Sequence, residues 1–476
     1  MKRYDSEIKF IKKYMKSPNA ATGSAVDSNA NVENKNITTL NGEVPKKLMI
    51  GINRTMMYDK LKALFGEEVA EKYIEQLERH QIYKHDETSG GAYVPYCVSI
   101  TMYPYLFKGM KNIGGISEPP KNLQSFCGSF VNLVFAIASQ FAGAVSTPEF
   151  LTYMDYFIRK EYGDDYYLRS DYVVDLSTKR RTIDSVISQC FQEVVYSLNQ
   201  PAAARNYQSV FWNLAYFDRP YFESIFEDFV FPDGTEPQYE SVLWLQKKFM
   251  NWFNRERLRT ILTFPVETVN LLDDGVDYVD KEFADFVAEM WAKGHSFFMY
   301  RSNSVDSLAS CCRLRNELQD NTFSYTLGAG GVSTGSKSVI TINFNRLVQD
   351  AYKYKEWRDK EEFYNYLDSK IREQVRLVHK YQIAYDDNLR DFLKAKMLPI
   401  YDAGFINMDK QFLTVGINGL VEGAEFLGID ISPNEEYFEY CTRCLKPIYE
   451  ENKAAKTEHY MFNTEYVPKL RGHLAA

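Results

Sequence analysis

Apolar residues recur at mixed three- and four-residue spacings along 46–80, at Ile50, Met57, Leu61, Leu64, Val69, Tyr73 and Leu77, which predicts helix. The same period predicts helices over 121–143, 149–162, 183–198, 239–257, 281–293, 361–382, 387–397, 420–427 and 434–448. Pro119-Pro120 and Pro148 stand where helix starts tolerate proline. Between these stretches lie β-branched and aromatic runs that read as strands. They are 93–103 (YVPYCVSITMY), 208–217 (QSVFWNLAYF), 259–270 (RTILTFPVETVN), 296–300, 337–344 (KSVITINF) and 411–418 (QFLTVGIN). Pro265 marks a bulge or strand end. Strands alternating with helices of ten or more residues indicate βα units and parallel pairing. So many strands suit a closed or nearly closed α/β barrel better than one small open sheet.

The chain has 476 residues, enough for two or three ordinary domains or one large barrel. Its aromatic share of 15%, with 35 Tyr and 32 Phe, predicts many buried hydroxyls that need partners. A formal charge of −8 argues against nucleic acid as the main ligand, while leaving room for a nucleotide. The N-terminal stretch MKRYDSEIKFIKKYM reads as a charged amphipathic helix, not a secretory signal. The apolar run 130–145 is short for a membrane span and contains Ser139 and Gln140, so it reads as a buried helix. Seven scattered cysteines point to reduced thiols in a cytoplasmic chain. The Asn-rich stretch 19–43 reads as a linker or surface loop.

The densest chemistry lies in DSLASCCRLRNEL, 306–318. Free cysteine is most often a small buried hydrophobe. Here, however, Cys311 and Cys312 stand in a polar stretch, and Arg313 and Arg315 favour thiolate. The following run YTLGAGGVSTGSKS lets backbone approach a ligand at Gly328, Gly330 and Gly331. It matches no phosphate-loop pattern. Ser336, within that run, and Asn343, on the strand that follows, complete the substrate-binding candidates. His85-Asp86 reads first as a structural pair. Cys441 and Cys444 share a helix face as half of a zinc pattern with no second half, and read as structural. Six scattered histidines form no metal cluster, and no metal site is expected.

Several motifs occur in an order that resembles the large subunit of class III anaerobic ribonucleoside-triphosphate reductase, a glycyl radical enzyme family. They are NAATGSAVDSNANVENKN, IYKHDE, PYCVSI, GGISEPPKNLQSF, FAGAVSTPEF, SVFWNLAYFDRPYF, TFPVETVN, SLASCCRLRN, TLGAGGVSTGSKSVITIN, FLTVGINGLVEGAEFLGID and FNTEYVP, spanning residue 19 to Pro468. The resemblance implies a ten-stranded α/β barrel around a cysteine finger loop. It divides the chain into 1–45 (helix and Asn-rich loop), 46–468 (reductase barrel, with a helical dimerisation block near 118–162) and an atypical end at 469–476. It implies that Cys312 becomes a thiyl radical that takes the ribose 3′ hydrogen, with Cys311 as the alternative. Cys97 would face it and supply hydrogen toward the 2′ position.

The resemblance also implies a homodimer, ribonucleoside triphosphates as substrates and ATP or deoxynucleotide effectors. A radical S-adenosylmethionine activase with an iron–sulfur cluster would be a partner. Ser336 stands where formate-using members carry asparagine, which leaves formate and a thiol redox protein open as reductant. After FNTEYVP the chain reads KLRGHLAA, and Gly472 does not match the radical-glycine pattern. The expectation is therefore a split or truncated reductase, with the glycyl radical and the family's zinc site on a separate C-terminal fragment. Two alternatives stay open: another glycyl radical activity of acyltransferase type, and a non-catalytic nucleotide-binding remnant.

Overall fold

The computed structural model describes residues 4–17, 34–111, 113, 117–175, 181–202, 207–305, 307–311, 314–317 and 333–466. The chain divides into two compact units. The first comprises Met1–Pro45, Val98–Thr334 and Leu398–Asn407; the second comprises Lys46–Cys97, Gly335–Met397 and Met408–Ala476. The strands are β1 (Ile82–Lys84), β2 (Cys97–Ser99), β3 (Val145–Ser146), β4 (Val173–Asp175), β5 (Arg181–Thr182), β6 (Trp212–Phe217), β7 (Val266–Leu272), β8 (Phe298–Ser302), β9 (Ser307–Cys311), β10 (Leu314–Glu317), β11 (Thr334–Asn343), β12 (Gln411–Asn418) and β13 (Met461–Tyr466).

In the first unit β3, β6, β7 and β8 run parallel, and Val98 and Ser99 of β2 lie parallel to β3. Alternation gives this sheet two different faces. Trp212, Leu214 and Tyr216 of β6 share one face with Val269 and Leu271 of β7, all buried. Helices Leu123–Ala138 and Phe150–Tyr162 cover that face, with Trp212 5.7 Å from Phe130 and 5.3 Å from Phe150 between ring centroids. Burying each such ring stabilises the fold by roughly 1.5–3 kcal/mol. The first helix starts at a capping box, in which Asn122 accepts from Ser125 N and the Ser125 hydroxyl answers the Asn122 amide. Cys127 and Cys190 lie in this core, and the neighbouring thiol and burial together hold Cys127 well above the ordinary range. Such a thiol is inert.

In the second unit β11, β12 and β13 run parallel and β1 pairs antiparallel with β11. In this unit one continuous helix runs from Lys360 to Lys394. Two helices are expected here, but the chain between them holds no glycine or proline, and the buried face (Val375, Val378, Tyr381, Tyr385, Leu389) continues across the gap. Two glycines of the VGING stretch have steric reasons. A Cβ on Gly416 would run into the Thr341 side chain, and Gly419 sits at φ +80° with Asn345 N 2.8 Å from where its Cβ would be.

The closed ten-stranded barrel with a cysteine finger inside is corrected. Among the described residues the main sheet has nine strands, eight along an open path that ends at β13 and β8, with β1 added on β11. Fewer of the strand-like runs enter the ladder than their composition suggests. Of 93–103 only Cys97–Ser99 pairs, and a helix starts at Tyr103. Ser307–Cys311 pairs with Leu314–Glu317 as a separate antiparallel ribbon, so its hydrogen bonds go to its own partner. No finger loop is defined among the described residues, and Cys312 lies outside them. The expected loop at 19–43 also changes: its last residues form helix Ile37–Glu43, capped by Asn36.

Candidate functional site

Cys97 opens β2 in the second unit and is buried. Its position is set through the backbone on both sides. Tyr96 N–H donates to the Lys337 carbonyl at 3.0 Å, and the fully buried Gln411 donates through Nε2 to the Cys97 carbonyl at 3.1 Å. These bonds fix the stretch of backbone that carries the thiol.

In the first unit the face of the sheet opposite the helices is polar. Ser99 lies opposite Ser146, and Ser146 opposite Asn213, so the three form a row across β2, β3 and β6. Thr268 on β7 lies on the same face, opposite Ala215. All four are buried. Ser99 Oγ, Asn213 Oδ1 and Thr268 Oγ1 have no hydrogen-bond partner among the described residues. Leaving a buried polar atom unpaired costs about 1–3 kcal/mol. The ribbon strand β9, which ends at Cys311, lies close to β6, β7 and β8. It approaches three successive strands while pairing only with β10, and so runs across a face of this sheet instead of extending its edge. The sequence contains these hydroxyls and amides in CVSI, AVST, FWNLAY and VETVN. Their only sign there is a polar residue recurring on alternate positions of an apolar run.

Several other buried polar groups are paired, while Gln81 Oε1, Ser338 Oγ, Gln382 Oε1 and Asn463 Oδ1 in the second unit also lack a hydrogen-bond partner among the described residues. In the second unit Lys337 and Asp386 form an ion pair of 2.6 Å with both side chains inaccessible to solvent. Arg390 binds Asp386 at 2.6 Å and Asp409 at 2.7 Å. Burial lowers the Lys337 ammonium from its ordinary range. Ser336 spends its hydroxyl on Thr414 Oγ1 at 2.8 Å and on the Ser338 carbonyl at 3.0 Å. Asn343 caps the helix Phe344–Lys353, accepting from Arg346 N and donating to the His80 carbonyl. His85 Nε2 meets Thr341 Oγ1 at 2.9 Å. Burial pushes the Cys444 thiol up to about 12. Gly328, Gly330, Gly331 and Gly472 lie outside the described residues.

Two buried ionisable groups escaped the sequence reading. Glu149, in the first unit, takes a hydrogen bond of 2.7 Å from Met102 N, and burial raises its carboxyl to about 8. Lys84, in the second unit, donates to the His85 carbonyl at 3.1 Å and lies 4.4 Å from the Tyr385 ring centre. Burial lowers it to about 8. Among the described residues no group of three or more His, Cys, Asp and Glu could hold a metal ion, and no helix is long and apolar enough to cross a membrane.

Comparison with known proteins agrees with these features. The family model described as anaerobic ribonucleoside-triphosphate reductase matches residues 43–469. The anaerobic ribonucleotide reductase of Thermotoga maritima, crystallised with citrate in the active site, is 30% identical with a TM-score of 0.75, over 91% of this chain and 74% of that one. The same enzyme with dATP in the specificity site is 29% identical with a TM-score of 0.77, over 97% and 72%. With dATP and CTP it is 29% identical with a TM-score of 0.77, over 96% and 70%. No curated protein matches the chain. The chain belongs to the anaerobic ribonucleoside-triphosphate reductase family of oxidoreductases. It holds the catalytic domain of such an enzyme, which reduces ribonucleotides to deoxyribonucleotides.

Proposed function

We propose that the chain carries out the reduction through two thiols, Cys312 and Cys97, on ribonucleoside triphosphates. The observation that carries this is the placement of Cys97, a buried thiol on a strand whose backbone Tyr96 and Gln411 hold. Cys312 takes the hydrogen atom from C3′, forming an S–H bond. The 2′-hydroxyl then leaves as water, Cys97 gives a hydrogen atom toward C2′, and Cys312 returns its own to C3′. Formate or a thiol redox protein supplies the two electrons. Ser336, bound to Thr414 and Ser338, has its hydroxyl already engaged, which supports the thiol route.

The initiating radical is assigned to a glycine outside the residues described, generated by an activase that uses S-adenosylmethionine and an iron–sulfur cluster; it supplies one oxidising equivalent. A homodimer regulated by ATP and deoxynucleotides, working in the cytoplasm, completes this reading. Reconstitution with a family C-terminal segment and activase tests it. Cys312→Ala should abolish deoxynucleotide formation and Cys311→Ala should retain it. Normal turnover by Cys312→Ala would move the radical role elsewhere.

A further inference from the structure

We propose that the outer face of the helix Glu435–Ala455 binds a second copy of this chain, antiparallel, through a two-fold contact. The inner face of this helix is occupied. Tyr440, Cys444, Ile448 and Asn452 are buried, and Glu450 and Glu451 bind Arg372 and Arg376 of the helix Lys360–Lys394 at 2.6 and 2.7 Å. The outer face carries Phe438, Thr442, Leu445 and Tyr449, spaced four, three and four residues apart, so they form one stripe. Phe438 is 76% exposed and Tyr449 65%. Apolar residues scattered singly over a surface are ordinary, whereas a stripe at this spacing is how one helix meets another. The face is made entirely by the second unit, so it is not the helical block near 118–162, and it does not rest on the reductase reading.

Beside the stripe lies a recess of about 260 Å³, with Asp368 and Arg372 on one side and Thr442, Lys446, Pro447 and Glu450 on the other. A cavity of roughly 150 Å³ holds benzene. One surface therefore offers both an aromatic knob and a hole, as a self-complementary contact needs. A two-fold axis close to Cys444 sets Phe438 of each copy over Lys446 and Glu450 of the other, at the mouth of the hole. The charges select this direction. Glu435, Glu436 and Glu439 stand at the start of the helix, and Lys446 and Lys453 are exposed in its later half. An antiparallel pair brings Glu435 of one copy to Lys453 of the other and Glu439 to Lys446, while a parallel pair sets like charges side by side. Within the chain, Lys360 meets Glu436 and Glu439, Arg443 meets Glu439 and Lys446 meets Glu450 at 3.1–3.9 Å, exposed contacts that exchange at little cost.

Sedimentation equilibrium of the full chain over a range of concentrations tests the contact. Phe438→Ser should weaken association by about 10-fold or more, since each copy loses its anchor. Glu435→Lys should weaken it by about 3- to 10-fold, and Glu435→Lys with Lys453→Glu should restore it. All three positions are exposed, so the variants fold. A carbodiimide joins a carboxylate to an amine in direct contact, and Glu435 and Lys453 stand about 27 Å apart along one helix. A Glu435–Lys453 cross-link therefore forms only between copies; it should appear in the wild type and vanish in Phe438→Ser. A chain that stays monomeric, association untouched by Phe438→Ser, or oligomers without that cross-link would overturn the contact.

Discussion

The second unit carries a chain of buried ion pairs, and the first carries a buried polar sheet face with unpaired atoms. Under the helix Lys360–Lys394, Lys337, Asp386, Arg390 and Asp409 are linked by ion pairs of 2.6–2.7 Å. On the polar face of the first unit's sheet, Ser99, Asn213 and Thr268 each keep an atom without a partner among the described residues. Burying charge is costly, and only complete pairing makes it tolerable. Burying a hydroxyl or amide costs less, so a fold can leave one open where a ligand will meet it.

The contrast can be broken most forcefully at Asp386. Asp386→Ala leaves the Lys337 ammonium without its buried partner and should destabilise the chain by about 3–5 kcal/mol, read from the urea midpoint. Replacing both members, Lys337→Met with Asp386→Leu, should recover most of that loss. A recovery no better than the single variant would show that the pair has a role beyond mutual neutralisation.

Glu149 stands between the two extremes, a buried carboxyl with few partners. Its folded value of about 8 lies above its ordinary value of 4.5. The folded chain therefore keeps a proton that the unfolded chain releases between those values. Stability should fall as pH rises through that window, by up to about 1.4 kcal/mol per pH unit. Glu149→Gln should remove that slope; a slope unchanged in the variant would assign it to other groups.

Lys84→Met should cost little or raise the melting temperature, because the ammonium has no carboxylate partner among the described residues. The smallest effect is expected at the row itself. Asn213→Ala should change stability by less than about 1 kcal/mol in either direction, since the carboxamide removed carries an unpaired Oδ1 and one long hydrogen bond, from Nδ2 to the Phe211 carbonyl at 3.4 Å. A loss comparable to that of Asp386→Ala would place Asn213 in the architecture and erase the distinction.

How much of this could be read in advance depended on how local the cause was. Ile183–Leu198, Tyr239–Arg257 and Gln411–Asn418 form at the expected residues because their periodicities lie within the segment, and Thr182 caps the first of them. The long helix runs on through Asp386-Asp387 because Lys337, distant in the sequence, neutralises the first of them. The open sheet was missed for a similar reason: whether a strand-like run joins a ladder depends on partners far along the chain. Ser307–Cys311 found a nearer one in Leu314–Glu317. The strand that carries Cys97 was legible because its run is β-branched and aromatic. The alignment of Asn213 with Ser146 and Ser99 was not, because it depends on strands far apart in the chain.

The second unit is assembled from three separated stretches, Lys46–Cys97, Gly335–Met397 and Met408–Ala476. This sets a timetable for synthesis. The helices Lys46–Phe65 and Glu67–Glu78 emerge early, with Met57, Leu61, Tyr73 and Leu77 destined for burial. Tyr73 packs edge-on to Tyr381 at 4.9 Å, and Gln76 receives the Tyr381 hydroxyl. Those partners are made only after the whole of Val98–Thr334 has left the ribosome. Through that interval the nascent chain carries an apolar helical hairpin without its cover, the situation in which chaperones are engaged. A chain stopped at residue 334 should bind a hydrophobic dye that the full chain does not.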